Sequence, residues 1–323
     1  MPVQGMERRV ITSLTNDTVK YIEKLKKKTS FRREEGCFVV EGIRMIREVP
    51  ENRRILLFLT EDASRQYPEL AFWCERTELV SPQVLQKLSD TETPQGMLAV
   101  VSMSDRVPAA EPARDAEPTG TAEPARDAEP TCTAEPARDA EPTGTAEPAR
   151  DAEPTRTAEP ARDAEPTCTA EPLYLVLDGL QDPGNVGTLI RTAEAVGATE
   201  VLMSRNTADP YSPKVVRSTM GTIFRVSVRI TEDLPSAIEE LKKKGVVIFG
   251  THLSGTDFYE ADLTGPAAFL IGNEGNGLSE AVAATADRLL KIPMEGKVES
   301  LNAAVSGSVV AYEAYRQRVR GRI

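Results

Sequence analysis

Three stretches in the C-terminal half of this 323-residue chain hold the residue types that could do chemistry. The first, DGLQDPGNVGTLIRTAEAVGA (178–198), sets Asn185 and Arg191 behind a glycine-containing turn of the kind that can cradle a phosphate. Its glycines, Gly179, Gly184 and Gly187, miss the GxGxxG spacing, and no acidic residue follows a second strand to hold a ribose. A nucleotide-binding oxidoreductase is therefore disfavoured. In the helix behind the turn, Val186, Leu189, Ile190, Ala193 and Val196 share one face, and Gly197 is placed to end it. Arg191 lies nearly opposite that face and, read alone, is a solvated surface arginine. The second stretch, IGNEGNGLSEAVAA (271–284), has three glycines in six positions around Glu274, with Ser279 able to cap the helix that follows. Backbone can approach a ligand closely at such a turn, but Glu274 reads equally well as an exposed turn carboxylate. The third, IPMEGKVESLNAAVSGSVVAYEAYRQRVR (292–320), gathers Ser300, Asn302, Ser306 and Ser308 at the start of a long helix, where alone they read as caps.

These stretches need elements to hold them. LYLVLD, TEVLMS, FRVSV, VVIFGT, AAFLIG and RLLKIP are short apolar strand candidates, separated by helical patterns such as DLPSAIEELKKKG. Near-continuous apolar strands between helices predict an α/β fold, a mostly parallel sheet covered on both faces. Ligands on such sheets sit at the carboxyl ends of strands, which is where the loops after LYLVLD, AAFLIG and RLLKIP fall.

The formal charge of −11 is unevenly spread: residues 1–109 sum to +1, 110–172 to −10 and 173–323 to −2. The acidity belongs to one segment, so it does not exclude a nucleic-acid partner, which responds to the local field. Residues 110–172 repeat AEPARD AEPTGT with proline at every sixth position. That composition offers no apolar face, so the expectation for 106–172 is an extended, solvated linker, about 45 Å r.m.s. if coil-like, that leaves two folded units loosely coupled. Residues 1–105 read as a small α/β domain: Thr15 or Asn16 can cap a basic entry helix, CFVVEG is a short strand, and ILLFLT and GMLAVVSM follow. KYIEKLKKKTSFRR (20–33) carries seven basic residues and one acidic, making Lys20, Lys24, Lys27, Arg32 and Arg33 candidate phosphate contacts, as are the arginines from Arg316 to Arg322. Four cysteines without CxxC spacing indicate neither a zinc site nor a disulfide framework, and no apolar run reaches membrane-span length, so a cytoplasmic protein without a metal is expected.

Taken in order and spacing, the three stretches resemble the three motifs of the SpoU (TrmH-type) RNA ribose 2′-O-methyltransferases of the SPOUT class, over essentially all of 173–323. Residues 10–102 are similar to the small RNA substrate-binding domain that precedes the catalytic domain in many members. The resemblance implies a trefoil knot, an exception to unknotted chains, that builds an S-adenosylmethionine pocket against the backbone around Thr251 and His252, at Gly272, and at Ile292 and Leu301. His252, the only histidine, is favoured as structural over a general base. Arg191 becomes the principal catalytic residue, a guanidinium that grips the target phosphate and stabilises a developing alkoxide, since arginine stays protonated. Asn185 would orient that arginine or the ribose, Glu274 would hold neighbouring groups, and Ser300 and Asn302 would position substrate. A homodimer through the C-terminal domain, with Arg191 reaching the partner's pocket, is also implied, as is large-subunit (23S) ribosomal RNA as substrate. A transfer-RNA methyltransferase and a non-catalytic RNA-binding protein on the same fold stand as alternatives.

Overall fold

In the computed structural model, residues 10–103, 171–298 and 300–320 are described. The proline-rich repeat, Cys132, Cys168 and Arg322 lie outside them.

The basic entry helix, α1 (Asp17–Lys27), is capped by Asn16, whose side chain accepts the Thr18 amide at 2.8 Å. Val19, Ile22 and Leu25 are fully buried, which turns Lys20, Lys24 and Lys27 to solvent. A second short helix, α2 (Thr29–Glu35), ends at Gly36 (φ 62°) and leads into β1 (Cys37–Glu41). Then come α3 (Ile43–Glu48), β2 (Arg54–Leu59), α4 (Glu61–Gln66), β3 (Thr77–Leu79), α5 (Pro82–Leu88) and β4 (Met97–Ser102). The sheet order is β1-β4-β2-β3, antiparallel except for the β2–β3 pair.

The second sheet has six strands: β5 (Leu173–Leu177), β6 (Glu200–Ser204), β7 (Val228–Thr231), β8 (Val247–Asp257), β9 (Ala267–Ile271) and β10 (Arg288–Lys291). Their order is β10-β8-β9-β5-β6-β7 and every pair is parallel, so all carboxyl ends share one edge. Between them run α6 (Pro183–Ala195), α7 (Pro213–Thr219), α8 (Leu234–Lys243) and α9 (Glu280–Ala283), and α10 (Ala303–Arg320) closes the chain. The two-residue period of a strand decides which helices each side chain meets. Leu175, Leu177, Phe269 and Ile271 pack with α6 and α10, whereas Val176, Leu202, Ala268 and Leu270 pack with α8. Both faces are dry, and each fully buried side chain of this size contributes about 1.5–3 kcal/mol.

Two expectations are corrected. FRVSV does not form the third strand: Met220 and Gly221, both at positive φ (53° and 97°), reverse the chain into a 3₁₀ turn, Thr222–Phe224, and β7 begins four residues later. The reversal carries Phe224 to Phe38 of β1, centroids 6.0 Å apart, and so into a core instead of a ladder. That core is the second correction, because the two folded parts are not loosely coupled. One face of the first sheet (Phe38, Val40, Leu57, Ala99) belongs to the same buried cluster as one face of the second. Arg32 reinforces the seam: it is 2% exposed and donates to Asp209 through Nε at 2.9 Å, and to the carbonyls of Leu25 and Lys26. A guanidinium with its donors so engaged is a structural cation and not an RNA contact.

Candidate functional site

The loops after β5, β9 and β10 meet at the carboxyl edge through hydrogen-bonded side chains. Asp182 caps α6 by accepting the Asn185 amide at 2.9 Å, and Pro183 at the first helical position suits that start. Asn185, 9% exposed, is bonded at both ends of its amide. Its Nδ2 donates to Glu274 Oε1 at 2.9 Å, and its Oδ1 accepts from Asn302 Nδ2 at 3.0 Å. The side-chain oxygen of Asn302 accepts the amides of Ala304 and Val305, which caps α10. Three residues from three distant stretches thus form one chain of contacts, Glu274 to Asn185 to Asn302.

Glu274 also accepts the backbone amides of Asp182 (3.1 Å) and Gln181 (3.1 Å). Burial pushes its carboxyl up, but the hydrogen bonds from Asn185 and from backbone amides outweigh it and hold the group below the usual carboxylate range. With both oxygens engaged and its basicity lowered, Glu274 is a strut and a poor proton acceptor. The turn that carries it is tight: a Cβ on Gly272 would sit 2.2 Å from the Gly277 carbonyl carbon, so only glycine fits. Asn273 holds the turn by donating to Gly179 O at 2.8 Å and accepting the amides of Gly275 and Asn276. Ser279 stands at the start of α9 but makes no side-chain cap; its hydroxyl donates instead to Asp178 at 2.7 Å.

The other predicted residues surround this chain without joining it. Thr251 lies near the middle of β8 and donates to Leu270 O at 3.1 Å, and His252 beside it is exposed. Ile292 follows β10 half-buried against the main core, while Ser300 and Leu301 run directly into Asn302. Arg191 is separate. It lies six residues beyond Asn185, about 9 Å along the helix axis, is exposed, and makes no hydrogen bond or ion pair among the described residues. Its neighbour Thr192 meets Ser308 of α10 at 2.8 Å, and Gly307 lets the two helices close, since a Cβ there would strike Leu189 at 2.6 Å. The outer face of α10 leaves Val305, Tyr312 and Tyr315 47%, 49% and 42% exposed. Phe258, Tyr259, Val309 and Val319 extend that apolar surface around a shallow cavity of about 600 Å³.

Residues 172–312 match the SpoU rRNA Methylase family, and residues 16–99 match the MRM3-like substrate binding domain. Over residues 172–312 the chain is similar to the SpoU methylases. It is 40% identical over 139 residues to the 23S rRNA guanosine 2′-O-methyltransferase RlmP of Bacillus subtilis, a match covering 43% of this chain and 56% of that one. It is 39% identical over 156 residues to a 23S rRNA uridine 2′-O-methyltransferase of Streptomyces viridochromogenes, covering 46% and 54%. The chain thus spans little more than half the length of these curated relatives. Among solved structures it resembles the SpoU methyltransferase AviRb from Streptomyces viridochromogenes in complex with AdoMet, with TM-score 0.67, 25% identity, and coverage of 95% of this chain and 100% of that one.

Within the SpoU-like residues 172–312, sequence reading missed Gln181, Asp182, Asn273 and the Asp178–Ser279 bond. All fall inside the motif stretches, and DPGN, a cap followed by proline, was the available signal for Asp182. Among the described residues no helix is long and apolar enough to cross a membrane, and no three His, Cys, Asp or Glu side chains form a metal-holding group. Cys37 and Cys74 are free thiols.

Proposed function

We propose that the protein is an S-adenosylmethionine-dependent RNA methyltransferase that acts on a ribose 2′-hydroxyl of large-subunit (23S) ribosomal RNA, in the cytoplasm. The observation that carries the reading is the Glu274–Asn185–Asn302 chain, which joins all three motifs at the carboxyl edge of the sheet. The match of residues 16–99 to a substrate-binding domain favours ribosomal over transfer RNA.

The residues available for the cofactor fit it chemically. Thr251 lies in β8 just past its pairing with β9, Gly272 and Ile292 directly follow β9 and β10, and Leu301 precedes α10; all are uncharged, with Ile292 and Leu301 partly buried. An adenosine wants such apolar walls and backbone amides, and the Gly272 turn leaves no room for a side chain between. When bound, S-adenosylmethionine supplies an electrophilic methyl group. The trefoil knot implied for this pocket is supported by the path of the chain, which leaves edge strand β10 and returns to pack α10 on β9 and α6.

A ribose hydroxyl must be aimed and relieved of its proton as transfer proceeds. Asn185, fixed at both ends, keeps the start of α6 and the start of α10 in one register, so that Ser300 and Asn302 present polar groups to the ribose. Arg191, exposed and without a polar partner among the described residues, grips the phosphate and stabilises negative charge developing on the 2′-oxygen. Its distance from Asn185 along α6, and the exposed apolar residues Val305, Tyr312 and Tyr315 on α10, support a homodimer in which it serves the partner's pocket.

Two measurements test the proposal. S-adenosylmethionine at 100 times its Kd raises the unfolding free energy by about 2.7 kcal/mol, and no thermal shift at millimolar cofactor would refute it. Arg191→Ala retains that shift but transfers labelled methyl to 23S RNA about 10²- to 10³-fold more slowly; undiminished transfer removes Arg191 from the mechanism.

A further inference from the structure

We propose a second RNA contact, a phosphodiester seat formed by Arg33 of α2 and Arg205 of the loop after β6, which lies across the seam between the two sheets. The proposal rests on the RNA-methyltransferase reading above and adds where the RNA enters.

Three observations place these residues together. Arg32, buried and bonded to Asp209, pins α2 beside the loop that carries Arg205 four residues earlier. The next residue, Arg33, points to solvent. Both guanidiniums act on Glu232, the residue that follows β7: Arg205 bonds it directly, and Arg33 is near enough for its charge to be felt. The hydrogen bond from Arg205 outweighs desolvation, and the charges of Arg205 and Arg33 add to it, holding the Glu232 carboxyl below its ordinary range. Arg205 and Glu232 pair on the surface, their side chains 58% and 70% exposed, and Arg33 adds a second positive charge within reach of the same carboxylate.

The position matters as much as the charge. Arg205 and Glu232 follow β6 and β7, so in an all-parallel sheet they occupy the same edge as the loops after β5 and β9 that hold Gln181 and Glu274. Contacts run along this edge without a break: Asn206 O accepts from Gln181 Nε2 at 2.6 Å, and the Gln181 amide donates to Glu274. From β7 to β9 is three strand spacings, about 14 Å, or about four nucleotides at the 3.4 Å rise of a duplex strand. The entry helix and its end expose Lys24, Lys27 and Lys28 as well. An RNA strand held at Arg33 and Arg205 is directed along the edge to the methyl-transfer site. Phosphate is the fitting ligand because a guanidinium exchanges an exposed carboxylate for a phosphate at little cost and can engage it bidentately.

The test measures binding of unmodified, in vitro transcribed large-subunit ribosomal RNA across a potassium chloride series, with S-adenosylmethionine affinity measured separately by calorimetry. Arg205→Ala and Arg33→Ala each weaken RNA binding about fivefold or more and lower the slope of log K against log salt by about 0.7–0.9, while cofactor affinity stays unchanged. Glu232→Gln, which removes the competing carboxylate, tightens RNA binding. Wild-type affinity and slope in all three variants overturn the seat while leaving the methyltransferase reading intact. A wild-type protein that binds neither the RNA nor the cofactor overturns both.

Discussion

Two polar junctions join distant parts of this chain, and they are built differently. At the carboxyl edge, Glu274, Asn185 and Asn302 meet through hydrogen bonds in which a single carboxylate is surrounded by amide donors. At the seam, Arg32 and Asp209 form an ion pair whose side chains are 3% and 9% exposed, walled by the apolar cluster that both sheets share. Amide donors satisfy a charge without adding a second desolvated one, so the first junction can stay near solvent, where a substrate must reach it. A buried ion pair tolerates neither partner alone, and suits a seam that stays shut. Function and rigidity are thus assigned to different chemistry.

The sharpest way to break this contrast is to remove one member from each junction. Arg32→Ala strands Asp209 in the seam and frees two helix carbonyls; the unfolding free energy falls by about 3–5 kcal/mol in urea titrations. A loss comparable to that of a surface arginine would show that the seam is held by apolar packing alone. Asn185→Ala, which leaves Glu274 and Asn302 each one partner short at the edge, costs about 1–3 kcal/mol of stability and lowers methyl transfer more than cofactor affinity. Equal losses in transfer and in cofactor binding would make Asn185 a pocket residue instead of a register pin.

A smaller effect separates the junctions by pH. The folded-state pKa of Glu274 lies below its unfolded value of about 4.3, so its stabilising contribution is complete above that value and is lost as pH falls through the folded pKa. The stability difference between wild type and Glu274→Gln is therefore constant above about pH 5 and narrows below about pH 4; a gap unchanged to pH 3 would mean that the carboxylate is not held in its ionised form. The smallest effect belongs to the repeat. Deletion of residues 110–169 leaves methyl transfer within a factor of about two and stability within about 0.5 kcal/mol, because the AEPARD-type repeat offers no apolar face to either sheet. A large loss of transfer would assign the repeat a part in presenting RNA.

Much of the fold was legible in residue order because it rests on local periodicity. Five of the six apolar runs that predicted strands of the parallel sheet became β5, β6, β8, β9 and β10, and the glycine after α6 ends it as its φ of 67° requires. FRVSV failed because a run of alternating apolar residues carries no label for which surface will bury it, and Phe224 found Phe38, 186 residues away. The motif stretches located the carboxyl edge, since turns rich in glycine and helix starts rich in Asn and Ser are local signals. Which of their side chains touch was beyond that signal.

Arg32 and Arg33 show where the limit lies. Neighbours of one type in one basic run, they are indistinguishable by composition, and both read as phosphate contacts. Only the docking of α2 on the loop at Asp209 separates them, by surrounding one with acceptors and leaving the other in water. Periodicity and turn chemistry are properties of a few consecutive residues and can be read in order along the chain. Desolvation is a property of whatever packs against a residue, and for Arg32 and Asn185 that is chain drawn from more than a hundred residues away.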